Sequence, residues 1–300
     1  MGSIWLMVDP QRADAMTSEQ KYSPPTLESF AGLGPLERLM VLLDLEPIER
    51  DLFRGFHPPD RNRRLFGGQI IAQALVAAMR TTDLDRSPHS LHAYFLRPGD
   101  PNVPALFEVD RIRDGKSFNT RRIKVIQSGR AIFNMDVSFH LEEPGLSHQD
   151  EMPDLTPPDE SRLVDGLKQR PFLSFREDHK RLLEDAPQDP VQRVWIKANG
   201  AAPEDRRLHL ALLAYESDEA LLGTARMPHR GQYDREKMQV ASLDHSIWFH
   251  QPVDVNDWLL YALDSPAADG ARGYTRGSVF TADGKLIASC MQEGLIRLHS

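Results

Sequence analysis

Cysteine is nearly missing from this chain of 300 residues: Cys290 stands alone. A single thiol excludes an internal disulfide framework and any cysteine-rich zinc site, and it suits a reducing cytoplasm. Long apolar runs are missing too. Nothing approaches the roughly 18–20 residues that span a bilayer, so no stable membrane insertion is expected. Positive charge is in short supply: 36 Lys and Arg against 44 Asp and Glu leave a net charge of −8, which argues against nucleic acid as the main partner. His89, His92, His229, His245 and His250 show no metal-ligand spacing, and no G-x-S-x-G elbow occurs. The apolar stretch Ile4 to Val8 is too short for a signal-peptide core and lacks preceding basic residues. Leu6 stands where a myristoylation signal needs Ser or Thr. Residues 1–26 read as a flexible tail, with Met16 an alternative start.

What remains is an ordinary globular composition, 40% hydrophobic and 27% charged, with length for about two domains. Its main feature is internal repetition. Leu91-His92-Ala93-Tyr94-Phe95-Leu96-Arg97-Pro98 is answered by His245-Ser246-Ile247-Trp248-Phe249-His250-Gln251-Pro252, at an offset of 154. Thr120-Arg121 returns as Thr275-Arg276, and Gly129 as Gly284, both at 155. Solenoid units run about 20–50 residues, so this is a duplicated domain instead.

Periodicity and punctuation give the layout. Pro35 can open a helix carrying Leu36, Leu39, Met40 and Leu43. Gly67-Gly68 introduces a helix from Gln69 to about Met79 that is apolar or small nearly all round, as buried helices are. Strands are expected near 90–97, 104–113, 117–127 and 130–141, with turns at Ser128-Gly129 and later Asp283-Gly284. Residues 27–143 form the first repeat and 144–190 a Pro-rich, acidic crossover with a short helix near 160–169. Residues 191–300 form the second repeat: a strand over Val191–Ala198, a buried helix over Leu208–Leu222, and strands near 239–251, 257–264, 271–281 and 285–297. The fold class is α+β, two tandem units in which a curved antiparallel sheet wraps a central helix.

Within the second buried helix, Asp218 shares a face with Ala211, Ala214, Tyr215, Leu221 and Leu222. A carboxylate there is costly unless paired, and its pKa is pushed upward. Either it serves chemistry or it reaches solvent at the helix end. Glu216 and Glu219 fall elsewhere on the wheel and read as a solvated face. In the last strand Cys290, Gln292 and Gly294 alternate onto one side, and Gln292 falls opposite Val137 of the first repeat. Ser242 opens the aromatic-rich strand. A carboxylate, a hydroxyl and an amide together supply the donors and acceptors that hold a water. Asp244-His245 beside Ser242 do not make a triad, because adjacent strand residues face opposite sides.

Phe66-Gly67-Gly68-Gln69, Tyr94-Phe95-Leu96-Arg97-Pro98-Gly99-Asp100 and Arg113-Asp114-Gly115-Lys116-Ser117-Phe118 resemble the first repeat of the acyl-CoA thioesterase II family. Val194-Trp195-Ile196, Ser242-Leu243-Asp244-His245-Ser246-Ile247-Trp248-Phe249-His250 and Met291-Gln292-Glu293-Gly294 resemble its second. The resemblance covers roughly residues 36–298 and implies a double hotdog that hydrolyses fatty acyl-CoA to free fatty acid and CoA without metal or organic cofactor. It implies Asp218, Ser242 and Gln292 as the catalytic set, with Ser at a position that is Thr or Ser in the family. Free amides at Gly68 and Gln69 then become candidates for the oxyanion and substrate site, although the glycine pair equally serves as a tight strand-to-helix turn. Homodimer formation follows only by analogy. Arg61, Arg63 and Arg64, or the run Arg111, Arg113, Lys116, Arg121, Arg122, Lys124 and Arg130, can pair CoA phosphates or simply form a solvated sheet face. Two rivals remain, a non-catalytic acyl-CoA sensor and a hotdog hydratase acting on enoyl-CoA. The C-terminal Leu298-His299-Ser300 is no peroxisomal address, so cytoplasm is expected.

Overall fold

The computed structural model describes residues 25, 27–57, 65–159, 169–176 and 184–299. The expected short helix near 160–169, the tail apart from Pro25, and Arg61, Arg63 and Arg64 lie outside the described residues or almost wholly so. Helix α1 spans Pro35–Leu43 and buries Leu36, Leu39, Met40 and Leu43, the residues its spacing singled out. Proline at its first turn loses no hydrogen bond, since that N–H has no intrahelical acceptor. Strands β1 (Glu46–Glu49) and β2 (Leu52–Gly55) follow, then α2 (Gly67–Met79), buried from Gly68 to Met79. The first repeat continues as β3 (Arg86–Phe95), β4 (Ala105–Asp114), β5 (Phe118–Gln127) and β6 (Arg130–Leu141). Strand β7 (Phe172–Phe175) lies inside the stretch read as crossover. The second repeat comprises β8 (Val191–Ala198), α3 (Arg206–Ser217), the short α4 (Leu221–Ala225), β9 (Met238–Ser242), β10 (Asp244–Phe249), β11 (Leu259–Asp269), β12 (Arg272–Thr281) and β13 (Leu286–Leu298).

All strands join one antiparallel sheet in the order β1-β2-β4-β5-β6-β3-β10-β13-β12-β11-β8-β7, with β9 also on β13. The order reads outward from the β3–β10 seam as β3, β6, β5, β4 on one side and β10, β13, β12, β11 on the other. The duplication is therefore visible as a mirrored strand order, and the fold is a double hotdog whose inner faces close over α2 and α3. One continuous core holds both helices and the inward residues of both halves, from Phe107, Phe133 and Phe139 to Leu259, Leu263 and Val279. No helix among the described residues is long and apolar enough to cross a membrane.

Register corrects one equivalence. Arg121 pairs with Val137 in the first repeat, and Thr275 pairs with Gln292 in the second. The structural counterpart of Thr275 is thus Arg121, not Thr120. The cause is loop length: four residues (127–130) separate the pair Ile126–Ala131, and five (281–285) separate Phe280–Leu286. One extra residue shifts the offset from 154 to 155, and a shift of one exchanges the faces of a strand. Arg121 is accordingly buried, and Arg276 lies on the outer face.

Candidate active site

Helices α2 and α3 run antiparallel, so each end of one meets the opposite end of the other. Gly68 at the start of α2 lies against Tyr215 near the end of α3. A Cβ on Gly68 would sit 2.1 Å from the Tyr215 carbonyl oxygen, and one on Gly67 would sit 2.6 Å from a carboxylate oxygen of Asp218. Only glycine permits that approach. Helix α3 ends at Ser217, where the Tyr261 hydroxyl donates to the Ser217 carbonyl at 3.0 Å, and Asp218 is its C-cap. The chain then turns before α4 starts at Leu221. Asp218 therefore sits at a helix end and not within a helix running to Leu222.

This turn aims Asp218 at the first turn of α2. The Gly68 N–H donates to Asp218 Oδ2 at 3.0 Å, and the first N–H groups of a helix carry the positive end of its dipole. From β13, Gln292 Nε2 donates to Asp218 Oδ1 at 2.6 Å and to Ser242 Oγ at 3.0 Å. Ser242 Oγ in turn lies 3.4 Å from Asp218 Oδ1. Ser242 ends β9 and pairs with Gly294, two residues beyond Gln292, which brings both onto one face. The three residues singled out in the sequence thus share one hydrogen-bonded cluster, built from a helix cap and two strands. Burial raises the Asp218 pKa above the ordinary aspartate value, against the hydrogen bonds from Gln292, Gly68 and Ser242 that pull it down.

Asp218 and Ser242 line a cavity of about 460 Å³. Its apolar wall comes from both repeats and includes Leu65, Phe66, Ile70, Phe95, Phe133 and Leu222, while Arg97 and Gln239 add polar groups. Gly67 lines it, whereas Gly68 and Gln69 do not. The Gly68 amide is already given to Asp218, and the Gln69 side chain turns away to donate to the Phe56 carbonyl at 3.1 Å beside His57 Nδ1. The Gly68 N–H is thus held by a carboxylate and is not the free donor expected of it. Among the described residues no group of three or more His, Cys, Asp or Glu is placed to hold a metal ion.

Several other expectations change. Glu216 is buried, not on a solvated face, because α3 is enclosed from Arg207 to Ser217; desolvation drives its carboxyl well above the usual range, reinforced by Glu219. Glu219 is exposed and pairs with Arg170. The strand expected over 239–251 breaks at Leu243, whose N–H donates to Glu293 while its carbonyl accepts from Phe95. His245 makes no relay with Ser242: its Nε2 is 2.9 Å from Ser217 Oγ. Cys290 is buried, and burial pushes its thiol up to about 12. In the basic run, Arg111, Arg122 and Lys124 pair with Asp51, Asp136 and Glu108 on the outer face, and Arg121 is buried against Thr81.

Sequence reasoning passed over His245 and Thr275, both 0% exposed on the inner face beside Gln292. The signal was present: at an offset of 154, His245 falls on Leu91, a polar residue where the sister strand is apolar.

Residues 57–140 match the acyl-CoA thioesterase N-terminal domain, and residues 173–295 match the acyl-CoA thioesterase family. The chain is 42% identical to acyl-coenzyme A thioesterase 8 of Mus musculus, over 88% of this chain and 91% of that protein. It is 39% identical to acyl-CoA thioesterase 2 of Haemophilus influenzae, over 87% of this chain and 98% of that protein. Among solved structures, an acyl-CoA thioesterase II from Mycobacterium marinum superposes with a TM-score of 0.76 at 42% identity, covering 88% of this chain and 98% of the other. The chain belongs to the acyl-CoA thioesterase II family and is a thioester hydrolase of the double-hotdog kind.

Proposed function

We propose that the chain hydrolyses fatty acyl-CoA to free fatty acid and CoA by direct attack of one water held by Asp218, Ser242 and Gln292. The supporting observation is that a single amide, Gln292 Nε2, donates to both Asp218 and Ser242 beside an apolar cavity. Asp218 takes a proton from the water as the water oxygen bonds to the thioester carbon. The carbonyl electrons move to oxygen, and the oxyanion collapses with cleavage of the C–S bond, releasing a thiolate that is then protonated. A base raised toward neutrality accepts protons more readily, and such catalysis contributes about 10²–10⁴-fold. The first turn of α2 is the donor nearest the reaction. When Asp218 is protonated its hold on the Gly68 N–H weakens, and that amide becomes available to the developing oxyanion.

The acyl chain occupies the wall of Phe66, Ile70, Phe95, Phe133 and Leu222, and Arg97 is the basic side chain among the lining residues for the CoA phosphates. The outer-face pairs of Arg111, Arg122 and Lys124 favour a solvated surface over phosphate binding for that run. Incubation with palmitoyl-CoA and a thiol-detecting dye tests the reading. Wild-type protein should release thiol, and Asp218→Asn should bind substrate without release. Binding without release by the wild type would make it a sensor; an acyl adduct on Ser242 in acid-quenched enzyme would replace direct attack with a covalent route.

A further inference from the structure

We infer that Thr275 and His245 are positioning residues for this reaction: together with one buried water they hold the side-chain oxygen of Gln292, and so fix which end of its amide faces Asp218 and Ser242. The inference rests on the proposed role of Gln292 and deepens it.

The three side chains form a row across β12, β13 and β10. Thr275 pairs directly with Gln292. The β10–β13 register, Ser246 with Met291, continues one residue further to put His245 opposite Gln292 on its other side. Residues directly opposite in an antiparallel pair share a face, with Cβ atoms about 4.5–5.5 Å apart. That face is the interior: Thr275 and His245 are 0% exposed and Gln292 2%. Each carries one buried polar atom without a hydrogen-bond partner, namely Thr275 Oγ1, Gln292 Oε1 and His245 Nδ1. Buried polar groups in native proteins are rarely left unsatisfied, so three neighbours of this kind point to a shared ligand.

Donor and acceptor roles decide what that ligand is. An ionised carboxylate only accepts, so Gln292 must present Nε2 to Asp218, which leaves Oε1 as an acceptor facing the row. The Ser217 hydroxyl donates to the Ala214 carbonyl at 2.9 Å, so His245 Nε2 is the donor to Ser217 Oγ. Burial lowers the His245 pKa to about 3, leaving a neutral ring with one N–H and a lone pair on Nδ1. Two acceptors and one hydroxyl therefore stand in one buried row. A water accepting from Thr275 and donating to Gln292 Oε1 and His245 Nδ1 satisfies all three atoms, and about three bonds is the usual complement of a buried water. In the first repeat the same three positions are Arg121, Val137 and Leu91, and Val137 and Leu91 are apolar. The polar row occurs only where Gln292 does. Without it, a flipped amide would set Oε1 against the carboxylate, acceptor to acceptor.

Thr275→Val, of nearly the same shape, should lower kcat about tenfold, the worth of roughly one hydrogen bond, with little change in KM. Thr275→Ser should retain most of the activity. In a Gln292→Ala background, Thr275→Val should have an effect below about twofold, because Thr275 acts only through Gln292. Unchanged kcat in Thr275→Val, or effects that multiply with Gln292→Ala, would overturn the inference while leaving the catalytic role of Gln292 standing. Full activity in Gln292→Ala would instead remove the reading it rests on. Should Thr275→Val not fold, ring-nitrogen NMR of native protein decides: a neutral Nε2–H tautomer of His245 with a hydrogen-bonded Nδ1 is expected, and an Nδ1–H tautomer refutes it.

Discussion

The two ends of the α2–α3 pair solve the same electrostatic problem with opposite charges. At one end Asp218 meets the amino terminus of α2. At the other, Arg207 meets its carboxyl terminus and donates to the carbonyls of Met79 (2.7 Å), Thr82 (3.2 Å), Arg86 (3.1 Å) and Asp83. Both signs suit the dipole of α2 and oppose that of α3, whose first turn carries Arg207 and whose C-cap is Asp218. The difference lies in what is left over. The guanidinium spends its N–H groups on four carbonyls, and Arg121, the counterpart of Thr275, fills the same region by donating to the side chain and carbonyl of Thr81. The carboxylate keeps an approach from the cavity. Duplication supplied two comparable corners; one became a structural plug, and the other retained room for a ligand.

Exchanging charge for neutrality at each corner separates the two roles. Asp218→Asn should cut kcat by about 10²–10⁴-fold, the range for losing a general base, with the fold intact by circular dichroism. Arg207→Met should behave in the reverse way. Its unfolding free energy should drop by more than about 2 kcal/mol, since each orphaned buried carbonyl costs about 1–3 kcal/mol, while turnover per folded molecule is kept. Comparable activity loss in both variants would erase the distinction.

Gly68→Ala probes how closely the proposed catalytic corner is packed. Its new Cβ would overlap the Tyr215 carbonyl, so the helices must separate. Chemical denaturation should show a loss of about 1–3 kcal/mol, as overpacking does, together with reduced kcat. Stability equal to wild type would mean that the contact is looser than drawn.

Acidity offers a gentler test. As the proposed base Asp218 must be ionised, and its pKa is raised, so the acid limb of kcat/KM should lie above the ordinary aspartate value of 3.8. A limb at or below that value would argue for another base. The smallest expected effect concerns His245. In the unfolded chain this histidine protonates near 6.5, whereas in the fold it stays neutral down to about 3. Between those values the unfolded state binds the extra proton, so stability falls as pH drops through that window. His245→Leu, which installs the residue of the first repeat, should flatten the fall of Tm between about pH 6.5 and 4, relative to wild type.

Much of the fold was legible because hydrophobic periodicity and turn residues are strong local signals. The helix carrying Leu36, Leu39 and Met40 and the four strands expected in the first repeat, β3 to β6, emerge with only small shifts at their ends. Asp218 and Gln292 stood out as polar residues on apolar faces, Ser242 as the short hydroxyl opening a strand, and the resemblance implied a shared catalytic role for the three. What escaped was tertiary. Nothing at 218–220 resembles a helix stop, yet α3 ends there, where Tyr261 takes the Ser217 carbonyl. Glu216 was misplaced because a helical wheel assumes one wet side and α3 has none. Strands β1, β2 and β7 have four residues each, too few for alternation to show. The break at Leu243 arises because, among the described residues, β9 pairs only with β13, whereas β10 lies between β3 and β13.

The approach of Gly68 to Asp218 joins residues 150 positions apart, one from each half of the chain. On the proposed mechanism the centre draws Gly68 and part of the cavity wall from one half and Asp218, Ser242 and Gln292 from the other, so catalysis reports on assembly. In a denaturant titration, turnover should disappear no later than the first loss of docking between halves, even where each retains its own secondary structure. Cutting the peptide link that joins them would convert a fixed local concentration into a bimolecular encounter, and activity would then depend on how much of the protein is present.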